Sequence, residues 1–226
     1  MNLLLLSLSV SVTLPAAPLR GPNDVSKEDP AAVAKLKELG AVLEFADGEK
    51  HVHTVLFVDR RITDEELALV ARLPYLRRLQ ACAVNITDKG LAHLRDATEL
   101  RELHLGSAVE VTDDGLEVLK RLTRLENLGL HAPRATDRTL TCIKRLPRLK
   151  ALCIWGAPFT DAGLEELKGL SGLEFLDVAH TKATDGCLGV LKKFTKLHTL
   201  DVQGTSISAE GTADLKKALP KARVIR

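Results

Sequence analysis

The chain has 226 residues, 45% apolar but only 3% aromatic, with 32 basic residues against 30 acidic ones for a formal charge of +2. That content can fill a sizeable core, and with five Phe, one Tyr and one Trp the core must be aliphatic. The balanced charge supplies no general field for nucleic acid or anionic lipid, so neither is an expected partner.

In chain order, Leu3 to Leu14 is apolar with Ser and Thr interspersed, and Pro15-Ala16-Ala17 follows with small residues suited to cleavage. Residues 1–20 therefore read as a secretory signal peptide, with a disordered leader as the alternative. The apolar stretch is short for a transmembrane span. An exported location (periplasm, envelope or medium) is expected on this basis, and the cytoplasm is the alternative.

Residues 21–50 read as an N-terminal capping segment. Asp29-Pro30 can cap and start a helix through Leu39, which Gly40 would stop. Ala41 to Phe45 reads as a strand, followed by a turn at Ala46-Asp47-Gly48.

Residues 51–226 repeat. A hydroxyl residue, usually followed by Asp, recurs at Thr63, Thr87, Thr112, Thr136, Thr160, Thr184 and Ser208, in steps of 24, 25, 24, 24, 24 and 24. The copies read ITDEEL, ITDKGL, VTDDGL, ATDRTL, FTDAGL, ATDGCL and the worn ISAEGT. A fixed period of this length marks a solenoid, in which each unit buries its apolar face against its neighbours.

Each copy follows a Leu-x-x-Leu-x-Leu pattern. Its last two apolar positions are Val55/Phe57, Leu79/Ala81, Leu103/Leu105, Leu128/Leu130, Leu152/Ile154, Leu176/Val178 and Leu200/Val202. Period-two alternation predicts a short strand buried on one side. After Thr-Asp the spacing changes to three, as in Leu67, Val70, Leu73 and Leu76, which predicts a helical stripe and a turn. The Thr hydroxyl is expected to cap the helix start, and the Asp charge to favour the positive end of its dipole. Thr63 with Glu66 makes a capping box. Arg95, Lys120, Lys144, Lys168, Lys192 and Lys216 stand eight residues beyond the hydroxyl, with Arg72 nine beyond Thr63, where cations complement the helix end. A basic stripe for an acidic partner is the alternative.

Cys82 and Cys153 fall on strands three repeats apart, roughly 14 Å at the usual strand spacing and too far for a disulfide. Cys142 and Cys187 fall near helix starts. No Cys-x-x-Cys pair signals zinc, and no cofactor or metal is expected. At the C-terminus, Leu219-Pro220 leads to a strand stub at Val224-Ile225 that would close the last layer.

Leu-x-x-Leu-x-Leu followed by I/V-T-D-x-G-L resembles the leucine-rich repeat family, in the cysteine-containing subtype of F-box proteins, and more closely a group of bacterial leucine-rich repeat proteins that are often exported. The resemblance covers about Val52 to Arg226. It implies an α/β solenoid of about seven repeats, with parallel strands on the concave face and helices on the convex face. The sequence departs from it three residues before the hydroxyl, where only Thr181 and Thr205 match. It departs again at Glu66, Thr139 and Cys187, which replace the Gly of T-D-x-G.

If the apolar strand positions point inward, three columns point out of the sheet. The first holds Thr54, Arg78, Glu102, Asn127, Ala151, Phe175 and Thr199. The second holds Leu56, Gln80, His104, Gly129, Cys153, Asp177 and Asp201. The third holds Val58, Cys82, Gly106, His131, Trp155, Ala179 and Gln203. These columns vary from repeat to repeat while the framework does not, as a binding surface should.

The candidate partner-binding residues are Trp155, His131, Phe175, Asp177 and Asp201, with His104, His180, Arg78 and Glu102 around them. Trp155, the lone Trp, can anchor a partner, or simply cover Cys153 and Ala179. Asp177 and Asp201 can attract a basic side chain or a hard cation, or be solvated. The sequence therefore points to a non-catalytic module that binds a protein or peptide on its concave sheet. The alternatives are a metal-dependent or acid–base enzyme using the His and Asp residues, and a structural envelope component without a ligand. His104 and His180, three layers apart, argue against a shared metal, and no nucleophile elbow, P-loop or His-Glu-x-x-His occurs.

Overall fold

Asp29 opens the first described element. Its carboxylate accepts the N–H groups of Ala31 and Ala32 at 2.9 and 3.3 Å, capping α1 (Pro30–Glu38), and Gly40 ends that turn at φ +76°. The computed structural model describes residues 29–45 and 51–226, so the signal peptide expected over residues 1–20 and the turn expected at 46–48 lie outside the described residues. After α1 comes β1 (Val42–Phe45), antiparallel to β2 (Val52–Thr63).

From β2 onward every strand pairs in parallel with the next. The order is β3 (Arg78–Asn85), β4 (Glu102–Leu105), β5 (Asn127–Leu130), β6 (Ala151–Cys153), β7 (Phe175–Asp177), β8 (Thr199–Asp201) and β9 (Arg223–Ile225). Among the described residues these nine strands make one sheet in chain order. Parallel neighbours require a crossover, and each repeat supplies a short one: α2 (Asp64–Val70), α3 (Asp88–Ala92), α4 (Asp113–Leu116), α5 (Asp137–Ile143), α6 (Asp161–Glu165), α7 (Leu188–Leu191) and α8 (Ala209–Ala218). Several are a single α turn that tightens into 3-10 helix, as at Glu117–Arg121 after α4.

The core is the stack of repeated leucines. All fourteen inward strand positions from Val55 to Val202 are at most 5% exposed. The helical stripe Leu67, Val70, Leu73 and Leu76 is equally buried, and so is Leu164, Leu167, Leu170 and Leu173. Truncating one such Leu to Ala would cost about 3 kcal/mol, because a close-packed layer cannot collapse into the gap.

The Thr-Asp pairs do more than cap helices. The hydroxyls of Thr87, Thr112, Thr136 and Thr184 accept an N–H two residues on, at 3.1–3.4 Å, and Ser208 accepts that of Gly211 at 2.9 Å. Thr160 makes no such cap, while Glu66 accepts the Thr63 N–H at 2.7 Å.

The Asp, in contrast, reaches into the following repeat. Asp64 accepts the N–H and the hydroxyl of Thr87 at 2.8 and 2.7 Å. Asp88 does the same for Thr112, Asp113 for Thr136, Asp137 for Thr160 and Asp161 for Thr184, and Asp185 takes the Ser208 N–H at 2.8 Å. These bonds form a ladder from α2 to α8 that ties each repeat to the next. Charge-assisted hydrogen bonds of this kind are individually stronger than neutral ones.

The ladder also explains the glycine of T-D-x-G. A Cβ on Gly90, Gly115, Gly163 or Gly211 would sit 2.1–2.4 Å from the carboxylate oxygen of the preceding Asp. Two departures now make sense. Thr139 turns the collision into a bond by donating its hydroxyl to Asp113 at 2.5 Å, and the Cys187 thiol lies within reach of the Asp161 charge while donating to the Thr184 carbonyl at 3.1 Å. Thr181 and Thr205 donate to the carbonyls of Val178 and Val202 at 2.7 Å and so hold the turn after the strand.

The helix-end cations are largely paired with acids. Arg72 meets Asp29, Arg95 meets Asp96, Lys120 meets Glu117, Lys144 meets Glu166, Lys168 meets Glu165 and Lys192 meets Asp214. That pairing favours the structural reading over a basic stripe. The four cysteines are all free, but Cys142 is the penultimate residue of α5 rather than near its start. The helix begins at Asp137, directly after the cap, so five residues separate Cys142 from the cap.

Candidate functional site

Strand register sets out the sheet's open face as expected. Arg78, Glu102, Asn127, Ala151, Phe175, Thr199 and Arg223 stand in one row, and Gln80, His104, Gly129, Cys153, Asp177, Asp201 and Ile225 in the next. Three residues assigned to outward columns are buried: Thr54 at 8% and Ala179 at 7% exposed, and Gly129.

At one end of this face, Arg78 and Glu102 satisfy each other. The guanidinium donates to the carboxylate through Nε at 2.6 Å and Nη2 at 2.9 Å, and that bond pushes the Arg78 pKa up. A partner would have to displace this pair, so the two are poor anchors on their own.

The middle of the face carries aromatic and small residues. Trp155 stacks on His131 with ring centroids 4.0 Å apart and planes at 10°. The Trp stays 38% exposed, one of the large apolar side chains left open to solvent. The turn after it needs Gly156, because φ is +74° there and a Cβ would lie 2.9 Å from the His131 ring. His131 Nδ1 is buried with no hydrogen-bond partner among the described residues, and burial pushes its pKa down. His104 lies over Gly129 in the same way, and burial also pushes its pKa down, with the Glu102 charge opposing. Both rings are therefore held toward the neutral form.

Phe175 is not part of the Trp155 stack. It pairs in register with Ala151, four residues before Trp155, so the two aromatics are roughly 13 Å apart along the strand direction.

Asp177 and Asp201 are direct neighbours across β7 and β8. Each accepts the N–H two residues on, from Ala179 and Gln203, both at 2.9 Å. The Cys153 thiol donates to the other Asp177 oxygen at 3.2 Å. Burial pushes the Asp177 pKa up, against these bonds, and it pushes the Cys153 thiol up strongly, with the Asp177 charge adding to it. Cys153 is therefore a poor nucleophile. His180 is exposed, holds a left-handed φ of 56° and lies over Gly204. No group of three His, Cys, Asp or Glu residues with metal-binding geometry exists among the described residues. His104 and His180 sit on repeats three strands apart.

No protein-family model matches the chain, and no curated protein matches it in sequence. Solved structures do match. Internalin C2 of Listeria monocytogenes str. 4b F2365 is 24% identical over 76% of this chain and 70% of its own, with a TM-score of 0.58. Internalin F of the same organism is 18% identical over 70% of this chain and 49% of its own, with a TM-score of 0.52. Both are leucine-rich repeat proteins. The fold is a leucine-rich repeat solenoid. The chain spans about half the length of the internalin F structure.

Sequence reasoning missed two sets of residues in this solenoid. The glycines that seat the histidines follow them by one period: Gly129 after His104, Gly156 after His131 and Gly204 after His180. Cross-repeat ion pairs obey the same offset, as in Arg78–Glu102, Glu110–Arg134, Asp114–Arg138 and Glu126–Lys150. A search for complementary residues 24 or 25 apart would have found both.

Proposed function

We propose that this chain is a non-catalytic binding module that holds a protein or peptide on the open face of its sheet, centred on Trp155 and His131. The observation that carries the reading is the exposed, stacked Trp155 in the middle of a rigid array. Its ring is already fixed by His131 and Gly156, so little side-chain entropy is lost when a partner covers it. Phe175, Asp177, Asp201, His104 and His180 extend the surface, while Arg78 and Glu102 form its self-paired margin. Residues 1–20 act as an export signal, residues 21–50 cap the array, and residues 51–226 carry the binding face.

The internalin likeness supports the reading through the shared fold alone. Among the described residues no helix is long and apolar enough to cross a membrane. The enzyme reading gains nothing from the geometry, because the histidines lie in separate sockets and burial pushes up the thiols beside carboxylates, Cys142, Cys153 and Cys187.

The test is Trp155→Ala against a partner or selected peptide. Affinity should fall by more than about 1 kcal/mol with the fold retained, and unchanged affinity would sink the reading. Mass spectrometry of the N-terminus after expression with a signal peptidase checks export, which fails if residues 1–20 remain.

A further inference from the structure

Charge on this solenoid is mostly neutralised between neighbouring repeats. Glu102 meets Arg78, Asp114 meets Arg138, Glu126 meets Lys150, Glu166 meets Lys144 and Asp214 meets Lys192. Asp177 and Asp201 depart from that pattern. They lie side by side on β7 and β8, about 4.8 Å apart by strand spacing. Neither has a Lys or Arg ion pair among the described residues; the charges that bear on Asp177 are that of Asp201, which pushes its pKa up, and that of His180, which opposes it. Their local bonds to Ala179 and Gln203 fix the direction of both carboxylates without neutralising them.

The aromatic beside them is Trp155. Cys153 is the register partner of Asp177, and Trp155 stands two residues further along, which puts it roughly 8 Å from Asp177 by backbone spacing. Small side chains, Cys153 and Ala179, lie between. The open face here combines an exposed indole with two uncompensated carboxylates.

We propose that this corner receives an arginine side chain from a protein partner, its stem lying against Trp155 and its guanidinium bridging Asp177 and Asp201. This rests on the open-face binding reading above and names the chemistry that the face selects. A guanidinium suits the corner better than other cations. Its planar fork can donate to two carboxylates at once, it stacks on an aromatic ring, and it is more weakly hydrated than an ammonium. Charge complementarity also gives direction: the partner's basic end lies toward β8, and its uncharged part crosses Gly129 and Ala151 toward β5.

The experiment is selection from a displayed library of random peptides on the full chain in the presence of chelator, so that no divalent cation occupies the carboxylates. Binding of the selected peptide is then read from the fluorescence of the single Trp. The inference expects arginine to be enriched. Asp177→Asn with Asp201→Asn, which keeps the acceptor oxygens for Ala179 and Gln203, should weaken binding at least about tenfold. Replacing the peptide's Arg by Gln should cause a similar loss, and the two losses should not add.

Enrichment of peptides without arginine, no enrichment at all, or unchanged binding by the double Asn variant overturns the inference. If peptides without arginine bind wild type but not Trp155→Ala, the open-face reading survives the failure. If Trp155→Ala retains full binding, that reading fails too.

Discussion

The loops outside the sheet and the face of the sheet are built on the same period and use it in opposite ways. In the loops each repeat places nearly the same residues, and the carboxylate of one Asp ties down the next Thr from Asp64 to Thr184. On the face each strand offers something different, from the Arg78–Glu102 pair through the His131–Trp155 stack to the unpaired Asp177 and Asp201. Repetition makes a rigid, additive scaffold, and its absence leaves room for recognition. The loops should therefore govern stability, and the face should govern binding.

The largest effect that could break this division is on the ladder. Asp137→Ala removes two hydrogen bonds to Thr160 and leaves a part-buried N–H and hydroxyl unmet. Denaturant unfolding should show a loss of about 3 kcal/mol, and a loss below about 0.5 kcal/mol would refute the ladder's role.

The next effect separates ladder glycines from other glycines. Gly163→Ala drives a Cβ to 2.2 Å from Asp137 Oδ1 and should cost about 1–2 kcal/mol despite its gain in helix propensity. Gly189→Ala, with nothing within 4 Å, should instead stabilise α7 by up to about 1 kcal/mol. Equal changes in thermal midpoint at the two sites would undo the contrast.

Thiol labelling sharpens the picture of the face. Cys82 is exposed, whereas Cys142 and Cys187 are buried and Cys153 donates to Asp177. Burial pushes the Cys187 thiol up to about 12, with the Asp161 charge adding to it. An alkylating agent should modify Cys82 first in the native protein and the other three only on unfolding.

Acid titration gives the smallest effect and the clearest opposition of sign. Hydrogen bonds from Thr136 and Thr139 hold Asp113 below 3.8 although burial, the largest single influence, opposes them. Its contribution is present above pH 3.8 and is lost as pH falls through its lower folded value. Burial raises Asp177 above 3.8, so stability there falls as pH rises from 3.8 through the raised value. Stability measured against pH should lose the acid-side drop in Asp113→Asn and the opposite slope in Asp177→Asn.

Much of this was legible in the sequence because it is periodic. The strand leucines, the stripes from Leu67 and Leu164, and the adjacency of Asp177 and Asp201 follow from spacing alone, while the α1 boundaries follow from the capping chemistry of Asp29-Pro30 and Gly40. The Asp of Thr-Asp was read as a dipole partner because local reasoning looks one turn ahead, whereas its bonds lie 23 or 24 residues away. Thr139 and Cys187 looked like departures for the same reason, and only the neighbouring Asp explains them. On the face, alternation gave the columns but not the tilt of a ring, so the Trp155–His131 stack and its distance from Phe175 required coordinates.

The most direct test measures both properties on two variants, Trp155→Ala and Asp137→Ala, with one selected peptide. Trp155→Ala should lose more than about 1 kcal/mol of affinity and little unfolding free energy. Asp137→Ala should lose about 3 kcal/mol of unfolding free energy, with affinity unchanged where it remains folded. If Asp137→Ala weakens binding as much as Trp155→Ala does, or if Trp155→Ala binds like wild type, the division between scaffold and face is contradicted.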